Sequence, residues 1–209
     1  MPRVLIVDDH PALREGVRVL LERRVAGVQV GEATDYGETL RKLAEREWDL
    51  VILDLEMPGR DGFELLRRIV TQRPEQKVLV FSFHRDEHYA LRALRAGACG
   101  YLNKRADNRE LLAAVRSVLA GQVYLGPAAS RRLGDALRGD EPAAPHEALS
   151  DRELQVLRRL GSGATVSQIA AELHLSVNTV STYRARILEK LGLRTTADLI
   201  RYVIKAGLD

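Results

Sequence analysis

The chain has 209 residues, 45% of them hydrophobic and 29% charged, the balance of an ordinary soluble globular protein rather than a fibrous or disordered one. Its net charge is only +3, no apolar run approaches the roughly eighteen residues of a membrane span, and the single Cys99 has no partner in the chain for a disulfide. Met1, Pro2 and Arg3 lead straight into an apolar stretch without the core of a signal peptide, so a cytoplasmic protein with no membrane partner is expected.

Apolar strand candidates sit at 3–8, 28–32, 49–54, 77–82 and 99–102. Between them run helical stretches with apolar residues at i, i+3 and i+4, such as Leu13, Val17, Leu20 and Leu21, or Phe63, Leu65, Leu66 and Ile69. Five β-α units predict a doubly wound α/β domain with a five-stranded parallel sheet in the order 2-1-3-4-5 over residues 1–120. Beside Gly100 and Tyr101, Cys99 reads as a buried strand thiol. Glycines and prolines then interrupt every pattern, so 121–145 is expected to be a linker with one short helix from about 128 to 137. Such a linker, if flexible, spans about 25 to 30 Å.

From 146 to 209 every segment reads as helix, which predicts a separate all-α domain of four helices. Ser150 and Glu153 form a capping box ahead of Leu154, Val156, Leu157 and Leu160. Further helices are expected at 166–173, 177–191 and 196–205. Charge is uneven in sign: residues 1–120 hold 20 basic against 19 acidic side chains, whereas Ser176–Asp209 holds six basic against three acidic. An anionic partner is therefore expected at the C-terminal end.

The most informative residues are acids at the ends of apolar strands. Val4 to Val7 run into Asp8 and Asp9, and Val51 to Leu53 run into Asp54. Strands without polar alternation are buried in parallel sheets, whose ligand sites lie at the carboxyl ends. Carboxylates gathered there repel by about 4 kcal/mol per pair at ~4 Å and a dielectric of ~20, so a cation is expected between them. Singly, Asp9 also reads as a helix cap and Asp54 as a partner for turn amides. Ser82 ends the fourth strand and Lys104 follows the fifth, so the strand order assembles three carboxylates, a hydroxyl and an ammonium.

Asp8 and Asp9, the run VILDLEMPG with Asp54, Ser82, the pair Gly100 and Tyr101, and Lys104 together resemble the receiver domain of two-component response regulators. The resemblance spans essentially all of residues 1–120. It implies that Asp54 is the phosphoacceptor for a sensor histidine kinase. It also implies that Asp9, Asp54 and the Glu56 backbone carbonyl hold Mg²⁺, with Asp8 acting mainly through water. Ser82, Lys104 and an inward-swinging Tyr101 would then read the phosphoryl group. Glu56 and His84, two residues after Asp54 and Ser82, are expected at the mouth, where they tune dephosphorylation. Arg105 follows Lys104 where many receivers have proline, so a trans peptide is expected there.

Two helices joined by a short turn, the second opening with small polar residues, form a helix-turn-helix signature. Val180, Tyr183, Ile187 and Leu191 make one buried stripe, while Asn178, Ser181, Thr182 and Ala185 make a small polar face suited to a major groove. Thr179, at the same end, is also a candidate DNA contact, and Arg184, Arg186 and Lys190 flank the face where phosphates would lie. The stretches LSDRELQVL and ATVSQIAAELHLSVNTVSTYRARILEKLGL resemble the LuxR-type DNA-binding domain, with Ser181 where lysine is frequent. Joined to a receiver, this resembles the NarL/FixJ family of transcriptional regulators. The resemblance implies a homodimer, when phosphorylated or DNA-bound, through the helix carrying Leu199, Ile200, Val203 and Ile204, some of which also read as plain core. The expected function is a phosphorylation-controlled, sequence-specific DNA-binding regulator of transcription and not an enzyme. A metal-dependent phosphohydrolase and a constitutive DNA-binding protein with a vestigial acid site are the other classes open to these residues.

Overall fold

A computed structural model of the chain describes residues 1–57, 62–83, 87–138 and 144–208. They divide into two compact units, Met1–Arg138 and Gly139–Asp209.

In the first unit β1 (Arg3–Val7), β2 (Gln29–Ala33), β3 (Leu50–Leu53), β4 (Val78–Ser82) and β5 (Gly100–Asn103) alternate with α1 (Pro11–Arg24), α2 (Tyr36–Glu45), α3 (Gly62–Gln72), α4 (Glu87–Arg95) and α5 (Asn108–Leu119). Every residue of β3 and β4 is buried, because helices cover both faces of a parallel sheet. The sheet order is β2-β1-β3-β4-β5, as expected, but a sixth parallel strand, β6 (Tyr124–Leu125), adds to β5. The five-strand expectation is corrected by two residues whose pairing satisfies the β5 edge, with the Tyr124 N–H donating to the Cys99 carbonyl at 3.0 Å. Cys99 itself lies one residue ahead of β5 and is only partly buried, unlike the strand thiol anticipated.

Much of the stretch expected as linker is structured. After β6 comes α6 (Pro127–Arg138), slightly longer than the helix anticipated there. It lies within the first unit, and the division between units falls after Arg138.

The second unit opens with a 3-10 turn at Pro145–Ala148, followed by α7 (Asp151–Gly161), α8 (Val166–Glu172), α9 (Val177–Leu191) and α10 (Thr196–Ala206). The capping box of Ser150 and Glu153 forms as read, and Thr165 with Gln168 and Thr195 with Asp198 form two more. Leu154, Leu157, Ile169, Val180, Ile187, Leu199 and Val203 make its core. Gly161 permits this packing: a Cβ there would stand 2.4 Å from Val203 Cγ1 on α10.

Candidate functional site

Ladder hydrogen bonds carry one residue past the strand ends and set the site. The Asp8 N–H donates to the Ala33 carbonyl at 3.1 Å, Asp54 to Val7 at 2.9 Å, and Lys104 to Ser82 at 2.9 Å. Neighbouring parallel strands therefore deliver their terminal side chains side by side. Arg14 of α1 fixes the turn after β1, donating from Nη1 to the Asp8 carbonyl at 2.8 Å. Gly62 opens α3 against the turn after β3, where any Cβ would lie 2.4 Å from the Leu55 Cα. A side chain there would displace the segment that carries Asp54.

Lys104 is the cation between the acids. Its Nζ lies 2.7 Å from Asp8 Oδ2 and 2.7 Å from Asp54 Oδ2. The other Asp54 oxygen accepts the Glu56 N–H at 3.0 Å, so the turn-amide reading of Asp54 also holds. Both Asp8 oxygens are used, Oδ1 accepting the His10 N–H at 2.8 Å. Asp9 is different. Its Oδ1 is buried and accepts no hydrogen bond, although His10 Nδ1 stands 2.8 Å away without the alignment of one. Nor does Asp9 cap α1, whose N-cap residue is His10.

Burial pushes the Asp54 carboxyl up to about 6, against the opposing pull of the Lys104 ammonium and the Glu56 N–H. Ligand atoms of Asp8, Asp9, His10 and Asp54 lie within 4.8 Å of one another. Three ionised carboxylates and one ammonium leave two negative charges. That surplus, the oxygen donors and the orphaned Asp9 oxygen fit a hard divalent cation. Ser82 is fully buried at the end of β4, and Tyr101 on β5 is buried at 6% exposure. The Lys104–Arg105 peptide is trans. His84 lies outside the described residues.

In the second unit α8 ends in a tight turn, with His174 in the left-handed region at φ 53° and the Leu175 N–H donating back to the Ala170 carbonyl at 2.8 Å. Ser176 then caps α9, accepting the Thr179 N–H at 3.0 Å. The Thr179 hydroxyl lies 2.7 Å from the Ser176 hydroxyl, so it serves the cap. Val180 and Ile187 are buried, as anticipated, whereas Tyr183 and Leu191 are only partly so. Asn178, Thr182, Ala185 and Arg186 are exposed, and Ser181 and Arg184 are partly so. A shallow hollow of about 350 Å³ lies on this face, lined by Asn178, Thr179, Thr182, Tyr183 and Arg186.

Lys190 departs from the expectation of a phosphate contact. Its Nζ bonds Glu153 Oε2 at 2.7 Å and reaches the Ala148 carbonyl at 3.4 Å. Glu153 is buried, so its charge draws the ammonium to the bundle.

The sequence model of the response regulator receiver domain matches residues 4–116, and that of the bacterial regulatory proteins of the luxR family matches residues 147–203. The chain belongs to the two-component response regulators. This response regulator, of the NarL/FixJ type, carries a receiver and a LuxR-type DNA-binding domain. It is 43% identical over 202 residues to a putative transcriptional regulator of Pseudomonas aeruginosa, covering 97% of each chain. It is 36% identical to the response regulator GacA of the same organism, covering 100% of this chain and 98% of that one. Among solved structures, RcsB from Salmonella enterica serovar Typhimurium bound to promoter rprA in the presence of phosphomimetic BeF3- is similar, with TM-score 0.68 and 27% identity over 96% of this chain and 97% of that one. Among the described residues of the regulator, no helix is long and apolar enough to cross a membrane.

The sequence reading missed His10 and Phe83 at the acid site. Their only signal was position, one residue after Asp9 and one after Ser82. It also missed the pairing of buried His146 with Tyr202, whose hydroxyl lies 2.8 Å from His146 Nδ1. Their separation of 56 residues left no local pattern to read.

Proposed function

We propose that this response regulator takes a phosphoryl group from a sensor histidine kinase onto Asp54, and that the modified receiver controls how the DNA-binding domain engages double-stranded DNA. The observation that carries the reading is the buried Asp54 carboxylate, held by Lys104 beside Asp8 in a pocket with unbalanced negative charge. Asp9, Asp54 and the Glu56 backbone carbonyl would hold Mg²⁺, with Asp8 supporting it less directly. The ion would neutralise charge on the transferring phosphoryl oxygens. Lys104 supplies a further positive charge, and Ser82 and Tyr101 respond to the modified state. Glu56 and His84 tune its loss.

The organisation we propose is a receiver over 1–120, a connecting region over 121–145 and a DNA-binding domain over 146–209. Asn178, Ser181, Thr182 and Ala185 face the bases, Thr179 sits at the same helix end, and Arg184 and Arg186 meet phosphates. Lys190 joins them only by leaving Glu153. Ile204, 63% exposed on α10, offers an apolar edge to a second copy, while Leu199 is core and Ile200 half-buried. Dimers would read half-sites about 34 Å apart or a multiple of it. Engagement of chromosomal DNA places the regulator in the cytoplasm. It acts as a switch without turning over an external substrate.

The test is gel filtration and DNA binding at fixed salt, with and without phosphoramidate and Mg²⁺, against Asp54→Asn. Phosphodonor-dependent change in dimerisation or DNA affinity, absent in Asp54→Asn, is the expected result. An equal response in Asp54→Asn refutes the assignment. Hydrolysis of added phosphate esters by the unaltered chain would instead favour a phosphohydrolase.

A further inference from the structure

Two aromatic rings stand at the mouth of the acid site. Phe83 follows Ser82 at the end of β4 and is 43% exposed. The ammonium lies behind it: the ring centroid is 5.0 Å from Lys104 Nζ. Across the mouth His10 meets Phe83 edge-on, with centroids 6.5 Å apart and planes at 81°. His10 is anchored in turn by Asp8, its N–H donating to Asp8 Oδ1 at 2.8 Å and its Nδ1 lying 3.2 Å from the same oxygen. The rings meet solvent, whereas the side chains behind them do not: Lys104 is 0% and Asp54 1% exposed.

We propose that Phe83, braced by His10, is a specificity-determining residue of the switch: the two rings restrict the approach of water and of small phosphodonors to Asp54 and so set the lifetime of its phosphoryl group. This rests on the assignment of Asp54 as phosphoacceptor. In loss of the group, a water oxygen bonds to phosphorus and the P–O bond to Asp54 breaks. Its electron pair stays on the carboxylate, and the attacking water gives up a proton to solvent as inorganic phosphate leaves. In gain from phosphoramidate, an Asp54 oxygen bonds to phosphorus, and the P–N bond breaks with its pair on nitrogen, which takes up a proton and departs as ammonia. Both reactions need an outside molecule in line with phosphorus, and both are slowed by a ring across the entry. By packing on the Lys104 ammonium, Phe83 also keeps that charge on the two carboxylates.

The experiment uses the full chain. Wild type, Phe83→Ala, Phe83→Leu, Phe83→Tyr and His10→Ala are charged with phosphoramidate and Mg²⁺, the donor is removed, and the phosphorylated fraction is followed on phosphate-affinity gels. Phe83→Ala is expected to speed both gain and loss about tenfold, equivalent to ~1.4 kcal/mol in each barrier. Phe83→Tyr stays within about twofold of wild type, and His10→Ala and Phe83→Leu fall between. Mg²⁺ affinity by calorimetry changes less than about twofold in Phe83→Ala, a readout that general damage to the site would move. Unchanged or slower gain and loss in both Phe83→Ala and Phe83→Leu, with Mg²⁺ binding intact, overturns the inference. Where alanine impairs Mg²⁺ binding, the leucine variant decides by the same criterion. Phosphorylation of Asp54→Asn at the wild-type level would overturn the assignment beneath the inference instead.

Discussion

Each unit of this response regulator sets a lysine against a buried carboxylate, and the two pairs behave in opposite ways. In the receiver, Lys104 is fully buried and shared between Asp8 and Asp54 at 2.7 Å each. Burial dominates there and raises the Asp54 carboxyl to about 6. In the DNA-binding unit, Lys190 keeps a 40% exposed side chain and meets a single carboxylate, Glu153, at 2.7 Å. Burial again pushes the Glu153 carboxyl up, but hydrogen bonds from Lys190 and Ser150 outweigh it, and the group falls below the usual range. Glu153 Oε2 takes both the Ser150 N–H and the Lys190 ammonium, so it ties α9 to the start of α7. Asp54 shares its one cation with Asp8 and lies beside a third acid, Asp9, which fits the cation site and the modification proposed for it.

That contrast breaks most clearly at Asp54. Asp54→Asn should abolish phosphoryl uptake from phosphoramidate on phosphate-affinity gels, yet melt no lower than wild type in EDTA at pH 7. A carboxyl raised in the folded state binds more protons folded than unfolded between about 3.8 and 6, so its contribution is most favourable below that window and is lost as pH rises through 6. Removing the charge at neutral pH should relieve up to about 3 kcal/mol, the net of burial against the Lys104 and Glu56 bonds. A clear loss of stability in Asp54→Asn would place the site with Glu153 as ordinary structure.

Magnesium binding sharpens the same point. Below pH 6 the Asp54 proton competes with the metal, so affinity measured by calorimetry should fall about tenfold per unit. A flat profile from pH 7 to 5 would show that Asp54 is not a ligand.

Glu153→Gln should cost the DNA-binding unit about 1 to 2 kcal/mol, read from its thermal midpoint, because Lys190 loses its charged acceptor. The wild-type pair stabilises the fold at pH values above about 4.3, and that contribution disappears as pH falls through the lower, folded-state value.

The smallest effect separates the two kinds of basic residue on α9. Arg186→Ala should leave the melting point unchanged and lower the salt slope of DNA binding by about 0.9, one phosphate's worth. Lys190→Ala should do the reverse, with little change in slope and a lower melting point. Equal slopes lost by both would return Lys190 to the DNA.

How much of this was legible follows from where each signal resides. The buried strands were legible because a sheet covered on both faces demands unbroken apolar runs, as in Leu50–Leu53. β6 was not, since Tyr124 and Leu125 have no strand pattern of their own and are extended only because β5 offers an edge. The acids, Ser82 and Lys104 could be read from their places at strand ends. His10 and Phe83 could not, because their roles arise from a ring contact between residues 10 and 83. Helix spacing put Lys190 beside the DNA face but held no trace of Glu153, 37 residues earlier.

The order of apolar runs, acids and caps along the chain determined two folds, a phosphoacceptor candidate and a helix-turn-helix, because those features are local and repeat with the period of strand or helix. Only the tertiary structure decided how charge is shared. Which carboxylates hold Lys104, which one pairs with Lys190, and which rings meet beside the acids depend on distances between residues far apart in sequence. Electrostatic and packing energies follow those distances and the burial around them, and neither quantity is written in the order of residues.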